Sequence, residues 1–489
     1  MLTAPRLSSV TSWTRVTTWT RVTTWTRVTT WTRTSSALAS GVLAGAFALG
    51  SCGGSRGEGA LEPGGPQPSE AEWEQLRGLA LTEVVVPEDP TNAFADDPQA
   101  IAWGHRLFFY PGFSGPLLDS DNDGGPGSLG ARGETGRVAC SGCHIPEAGF
   151  VDTRSRGQQI SLAARWTERR TPSLLDVAQK KLFTWVGKAD TLHGQVFTVL
   201  ENDREMNTSR LFVAQEVFRT FRADYEALFG PLPPLDDAER FPLLSPEDAG
   251  CDRAAPMQPP VCRGRPGDGD VYDSMSSEDQ EAVTRVVVNV GKALGAYQRQ
   301  LRCGPGRFDA WLSGDTEALT AAEQRGALVF VGRGKCVDCH SGPYLSDFAF
   351  HNVGLEPAVV AVAFRERNEP GALAGLTQLT SDPLNSKGAF SDGDDGRLPE
   401  ELPDSLLGAF ATPSLRCVAQ RPSFMHTGQI KSLEGVVDFF DRGGNESGFL
   451  GHKEIGPLGL SEGERADLVA FLRALDGEGP AARWLQAPE

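Results

Sequence analysis

Cys140-Ser141-Gly142-Cys143-His144 and Cys336-Val337-Asp338-Cys339-His340 spell one pattern twice in a single chain. Cys-x-x-Cys-His is the attachment signature of a c-type haem. Each thiol forms a thioether to a haem vinyl group, the two intervening residues set the spacing of the sulfurs, and the histidine reaches the iron from the proximal side. The rival readings are weaker, since a redox dithiol needs no histidine and a zinc site made of both pairs needs two distant segments to converge. Two copies imply two covalently bound haem c groups, with Cys140, Cys143, Cys336 and Cys339 as attachment points and His144 and His340 as proximal iron ligands. The expected fold is mainly α, with two cytochrome c-like haem domains and long loops. The 56 Gly and 33 Pro of the 489 residues exceed the usual share of about 12%, in keeping with much loop on a modest helical framework.

The N-terminus reads differently. A perfect hexad, Trp-Thr-Arg-Val-Thr-Thr, runs from Trp13 to Thr30 and is followed by Arg33, the apolar run Ala37 to Leu49, and Leu49-Gly50-Ser51-Cys52. A basic flank, a short apolar stretch and small residues before a cysteine describe an export signal of lipoprotein type over residues 1–51, with Cys52 as the lipidated residue. An ordinary signal peptide with an incidental cysteine is the alternative. Export implies a periplasmic protein, lipid-anchored to a membrane of Gram-negative type. Without residues 1–51, which hold five Arg and no acid, the net charge is −23. Such a surface repels nucleic acid and anionic lipid and favours a basic or dipolar protein partner.

The remaining boundaries follow composition. Residues 52–89 read as a flexible tether, 90–230 as the first haem domain, 231–275 as a Pro/Gly-rich insertion and 276–489 as the second haem domain. Within the insertion, Cys251 and Cys262 suit a local disulfide in an oxidising compartment. Asp119, Asp121 and Asp123 alternate before Gly124, as at the start of a calcium loop, but the twelfth position is Gly130 rather than a bidentate Glu. Calcium ligation and a solvated acidic loop both remain readings of that stretch. His105 lies in a helical segment and reads as a packing residue. Thr320 and Ser461, the latter with Glu464 three residues on, read as helix caps.

Many segments in order also resemble a family: bacterial di-haem cytochrome c peroxidases and the related MauG-type enzymes. The resemblance spans Pro90 to Leu475 and includes "TPSLLD", "FTWVGKADTL" and "ENDREMN" in the first half. In the second half it includes "RFDAWLSGD", "CVDCHSGPYLSDFAFHNVGL", "ATPSLRCV" and "FMHTGQIKSLEGVVDFFDRGG". It implies hydrogen peroxide as oxidant at the first haem, Glu205 as the acid/base beside it and Trp185 as an electron stepping stone between the haems. It also implies Arg416 as a haem-binding arginine, and an electron donor that is a small c-type cytochrome or another redox protein. A protein substrate takes the donor's place in the MauG-type alternative, and a plain electron-transfer cytochrome is a further one.

The chain departs from the family pattern at several points. The loop "ISLAARWTERRTPSLL" lacks the distal histidine that typical peroxidases carry, so the first haem is expected to be open at rest. Counting from Ser432 to the family's second distal ligand reaches Phe440, which cannot bind iron; Met425 is the nearby substitute. The family's inter-domain calcium positions fall on Arg170 and Arg421. Cys417, in place of the usual asparagine, either pairs with Cys303 or stays free.

Overall fold

The computed structural model describes residues 67–154, 160–252, 261–357 and 369–488. The hexad, the export signal and Cys52 lie outside the described residues. The described chain is mainly helical with little sheet. Its helices are α1 (Glu70–Gly78), α2 (Pro98–Phe108), α3 (Cys140–Cys143), α4 (Leu192–Leu200), α5 (Arg210–Thr220), α6 (Arg222–Phe229), α7 (Ser277–Gln298), α8 (Arg307–Leu312), α9 (Ala321–Val331), α10 (Ala372–Thr380), α11 (Leu433–Asp441) and α12 (Glu462–Arg473). Two antiparallel pairs of two-residue strands complete it, β1 (Cys251–Asp252) with β2 (Val261–Cys262) and β3 (Phe350–His351) with β4 (Phe410–Ala411). Among the described residues no helix is long and apolar enough to cross a membrane.

Two hydrophobic cores organise the helices, and each takes in one haem motif. The first packs α2, α4 and α5 around α7 and reaches Cys140 and Cys143; the second packs α12 on α9, with α11 and α1, and reaches Cys336. Helix α7 is buried on nearly every side from Val283 to Gln298, as a helix surrounded by others must be. It can be crossed closely because Gly104 of α2 has no side chain: a Cβ there would lie 1.9 Å from the Ala293 carbonyl oxygen. The caps read from sequence are present, with Thr320 and Glu323 boxing the start of α9 and Ser461 and Glu464 that of α12.

Three boundaries change. Helix α7 belongs to the first core, not to a second domain beginning at 276, because its apolar residues are shared with α2, α4 and α5. Residues 70–89 are not all tether: Ser69 caps α1 in a capping box, and Leu76 and Leu79 are buried in the second core. The 231–275 stretch places Leu235, Phe241, Leu244 and Tyr272 in the first core, so it is structural packing with a disulfide-closed hairpin, Cys251–Cys262, at its edge. Cys303 and Cys417 form a second disulfide, tying the exit of α7 to the segment that precedes α11.

The halves also repeat one turn. Thr171-Pro172-Ser173-Leu174 recurs as Thr412-Pro413-Ser414-Leu415, and each copy continues through a left-handed residue, Asp176 or Cys417, into a 3-10 turn, Val177–Gln179 or Val418–Gln420. Each then makes a bridge, Phe183 with Ala189 or Phe424 with Ile430, and enters a helix capped by Thr191 or Ser432. Trp185 and His426 occupy equivalent places in the two copies.

Candidate active site

The first haem motif forms a short α-helical turn, α3, and the second a 3-10 turn over Cys336–Asp338, but both close on one common bond. His144 N–H donates to the Cys140 carbonyl and His340 N–H to that of Cys336, each at 2.8 Å. The rings are fixed by a second contact, His144 Nδ1 lying 3.1 Å from the Phe150 carbonyl oxygen and His340 Nδ1 2.9 Å from that of Leu345. A proton held on Nδ1 by a carbonyl leaves Nε2 with the free lone pair that iron needs. Phe150 and Leu345 both take left-handed backbone, with φ of 59° and 51°, a conformation that costs a non-glycine residue roughly 1–3 kcal/mol. The same strain recurs shortly after both motifs, six residues beyond His144 and five beyond His340, where it aims the carbonyl at the ring. Burial pushes His144 down to about 4 and lowers His340 as well, so both imidazoles are neutral near pH 7.

Beside the first motif lies a chamber of about 540 Å³ whose wall includes Cys140, Cys143 and His144. That volume is in the usual range for cofactor sites, about 300–1,000 Å³. Both thiols are uncharged, their pKa pushed up to about 12 by burial. Apolar side chains including Phe108, Val196 and Leu294 complete the lining. The donor set and wall fit a covalently held haem. His144 is the one histidine among the described residues lining the chamber.

Glu205 is on the same wall. The turn after α4 positions it, with Glu205 N–H on the Asn202 carbonyl (3.0 Å) and Asn202 Nδ2 donating to Glu205 Oε1 (2.9 Å). Burial pushes the carboxyl up to about 7, with Glu168 adding repulsion, while Lys188 and Asn202 pull the other way. A carboxyl balanced there can take up or give a proton at neutral pH.

Trp185 is buried on the chamber wall and donates from Nε1 to the Arg170 carbonyl at 2.7 Å, with the Arg170 guanidinium 5.7 Å from the ring centroid. Thr184, just before it, is left-handed at φ 69°. Helix α10 seats the turn, since a Cβ on Gly375 would meet the Val186 carbonyl oxygen at 1.9 Å. His426, the counterpart of Trp185, packs edge-on to it at 6.5 Å and pairs with Glu369 at 2.9 Å.

The other sequence-derived candidates separate. Arg416 is 1% exposed and grips Asp309 with both Nη groups (2.6 and 2.9 Å), the Leu79 carbonyl with Nη2 and the Pro343 carbonyl with Nε. It braces the loop after the second motif against α8 and the exit of α1. Met425 is left-handed at φ 66° and packs with Cys336 against the second core. Phe440 lies near the end of α11, edge-on to Phe439. Asp119, Asp121 and Asp123 are not brought together as a calcium cage. Asp119 Oδ1 accepts from Asp121 N–H, Asp121 Oδ2 from Trp166 Nε1 and Asp123 Oδ1 from Gly125 N–H, so the alternation serves turn geometry. His105 packs flat on Tyr297 and bonds the Gln486 carbonyl at 2.8 Å, as expected of a packing residue.

Sequence reasoning missed one group. Among the described residues, the set of potential metal ligands gathered within reach of one another is Cys339, Asp347 and His351. His351 is held between Asp347 (2.8 Å) and Glu454 (2.6 Å). Its signal was the "FHNVG" inside a quoted segment, where the histidine directly follows the start of β3.

The di-haem cytochrome c peroxidase family pattern matches residues 98–242. Over that segment the chain is similar to the family's members. It is 27% identical over 403 residues to the methylamine utilization protein MauG of Methylorubrum extorquens, covering 82% of this chain and 85% of that protein. It is 27% identical over 349 residues to the cytochrome-c peroxidase IdrP2 of Denitromonas iodatirespirans, covering 70% of this chain and 77% of that one. The crystal structure of the di-haem peroxidase BthA from Burkholderia thailandensis shares the fold at a TM-score of 0.53 and 21% identity, covering 88% and 97% of the two chains.

Proposed function

We propose that this oxidoreductase of the cytochrome c peroxidase type reduces hydrogen peroxide in the first chamber. The observation that carries the reading is Glu205, a carboxyl poised near neutral pH on the wall that also holds Cys140, Cys143 and His144. Cys140, Cys143 and His144 would hold a haem there, which would supply redox-active iron for the peroxide. Glu205 takes the proton from one peroxide oxygen and delivers it to the other, so that cleavage releases water; two electrons and two protons convert one peroxide to two waters. Lys188 keeps part of the Glu205 population ionised, and the turn bond from Asn202 holds the carboxyl in place. Cys336, Cys339 and His340 would hold a second haem, which would supply the entry point for electrons, with Trp185 placed between the motifs to relay them. The net charge of −23 without the first 51 residues favours a basic small cytochrome as donor in the periplasm, with the chain tethered through a lipid at Cys52.

The single histidine among the described residues of the chamber favours a second reading, MauG-type oxidation of a partner protein's side chains. Rapid mixing of the fully oxidised protein with peroxide tests the proposal. The visible spectrum should change within the mixing experiment, and Glu205→Gln should slow that change steeply. A spectrum indifferent to peroxide, in both proteins, would leave an electron carrier without peroxide chemistry.

A further inference from the structure

Three cationic side chains meet in the partition between the cores. Arg170, Lys180 and Arg421 line a small cavity of about 20 Å³ with Trp185, Thr184 and Ser414, and Arg170, Lys180 and Trp185 also line the large chamber. Lys180 and Arg421 are the residues that follow the two copies of the repeated 3-10 turn. The duplicated turn therefore delivers one cation from each half to the same place.

Their charge is poorly answered by the protein. Arg170 donates from Nη1 to the Ser423 carbonyl (2.5 Å) and Arg421 from Nη2 to the Arg416 carbonyl (3.1 Å), both neutral acceptors. Nε of each is buried without a partner, in side chains that belong to residues only 3% and 6% exposed. Arg421 faces Asp176 and Asp476, but Asp176 is shared with Arg416 and Lys180 and one of its oxygens already accepts from Cys303 N–H, while Asp476 also faces Arg307. Arg416 is engaged by Asp309. Among the described residues Arg170 has no answering carboxylate, and burial together with the repulsion of Arg421 holds it down to about 9. Surplus buried cation is costly unless an anion resides with it.

We propose that Arg170, Lys180 and Arg421 form an anion site in this partition, and that its ligand is a carboxylate reaching in from the first chamber, a haem propionate. The identity of that carboxylate rests on the haem reading of the chamber. A free small monoanion such as chloride offers the same chemistry. A divalent cation does not belong there, because three fixed positive charges repel it.

The test is a crystal structure of the holoprotein grown in bromide, with anomalous data at the bromine edge and haem content counted by mass in the same batch. A haem carboxylate within hydrogen-bond distance of Arg170 or Arg421 supports the site with a propionate as ligand; a bromide peak in the partition supports it with a free anion. Water alone, or a bound cation, overturns it. Should the mass show no haem, the haem reading fails, while the bromide data still decide the anion site. In solution, Arg421→Gln should shift a haem midpoint potential downward, because a lost positive charge favours the oxidised iron, and Arg421→Lys should keep the original value. A loss of stability in Arg421→Gln with no shift in potential would assign these residues a packing role and overturn the proposal.

Discussion

The two Cys-x-x-Cys-His motifs share the bond from the histidine N–H to the first cysteine carbonyl and differ in what stands nearby. By the first, Glu205 is balanced at about 7, so its charge changes within the neutral range. By the second, His351 is held well above its ordinary range by Asp347 first, with Glu454 adding to it, so its charge stays fixed across that range; the further rise from Cys339 belongs to the free thiol alone. Chemistry that moves protons needs a group free to change charge, and a group that only passes electrons is served by surroundings that do not. The same pentapeptide can thus support both tasks, and the division is written outside it.

The largest test of this contrast is removal of one motif. Cys140→Ser with Cys143→Ser should halve the haem content by mass and abolish peroxide turnover. Cys336→Ser with Cys339→Ser should also halve it, yet preserve the spectral response to peroxide at the first site. If both pairs lost that response equally, the division of labour would be wrong. Next comes Glu205→Gln, for which a loss of about 10²–10⁴-fold in the peroxide step is expected, the range for a lost general acid/base. The carboxylate is the form that accepts the proton, so in the parent protein kcat/KM should rise with pH through about 7. That limb should be flat in the Gln variant, measured from pH 5 to 9 with haem content unchanged.

Removing the Cys303–Cys417 link probes whether the halves act as one body. Their separation of 114 residues corresponds to about 4–5 kcal/mol in the loop-entropy account. Cys303→Ala with Cys417→Ala should lower Tm by calorimetry while leaving the peroxide response in place. The smallest effect is expected at His351. Its folded pKa is raised above the ordinary 6.5, so its contribution to stability is fully present below about pH 6.5 and fades as pH rises through that raised value. His351→Gln should therefore reduce Tm more at pH 6 than at pH 10, and a constant difference would show that the triad's charge does not matter.

What could be read from the sequence was whatever is local. The haem motifs, the caps at Thr320 and Ser461 and the close pair Cys251–Cys262 each depend on residues a few positions apart. The misreadings came from long-range packing. Helix α7 looked like the opening of a second half because it follows a Pro/Gly-rich stretch, but its apolar surface completes the first core. Arg416 finds its carboxylate 107 residues away on α8, a partner that no spacing rule supplies. The alternating Asp119, Asp121 and Asp123 fit two geometries equally well in one dimension, and the donors that claim them, Trp166 among these, arrive from elsewhere in the chain.

The buried thiols also set an order of events. Of the eight cysteines among the described residues, four are joined in disulfides and four remain for haem; eight thiols can pair in about 105 ways. In the finished fold Cys140, Cys143 and Cys336 resist ionisation, with pKa values pushed up to about 12, and a thiol reacts chiefly as its thiolate. Joining the cofactor is therefore favoured while the motifs are still exposed, and the closing of the cores then shields the two disulfides from exchange with these thiols.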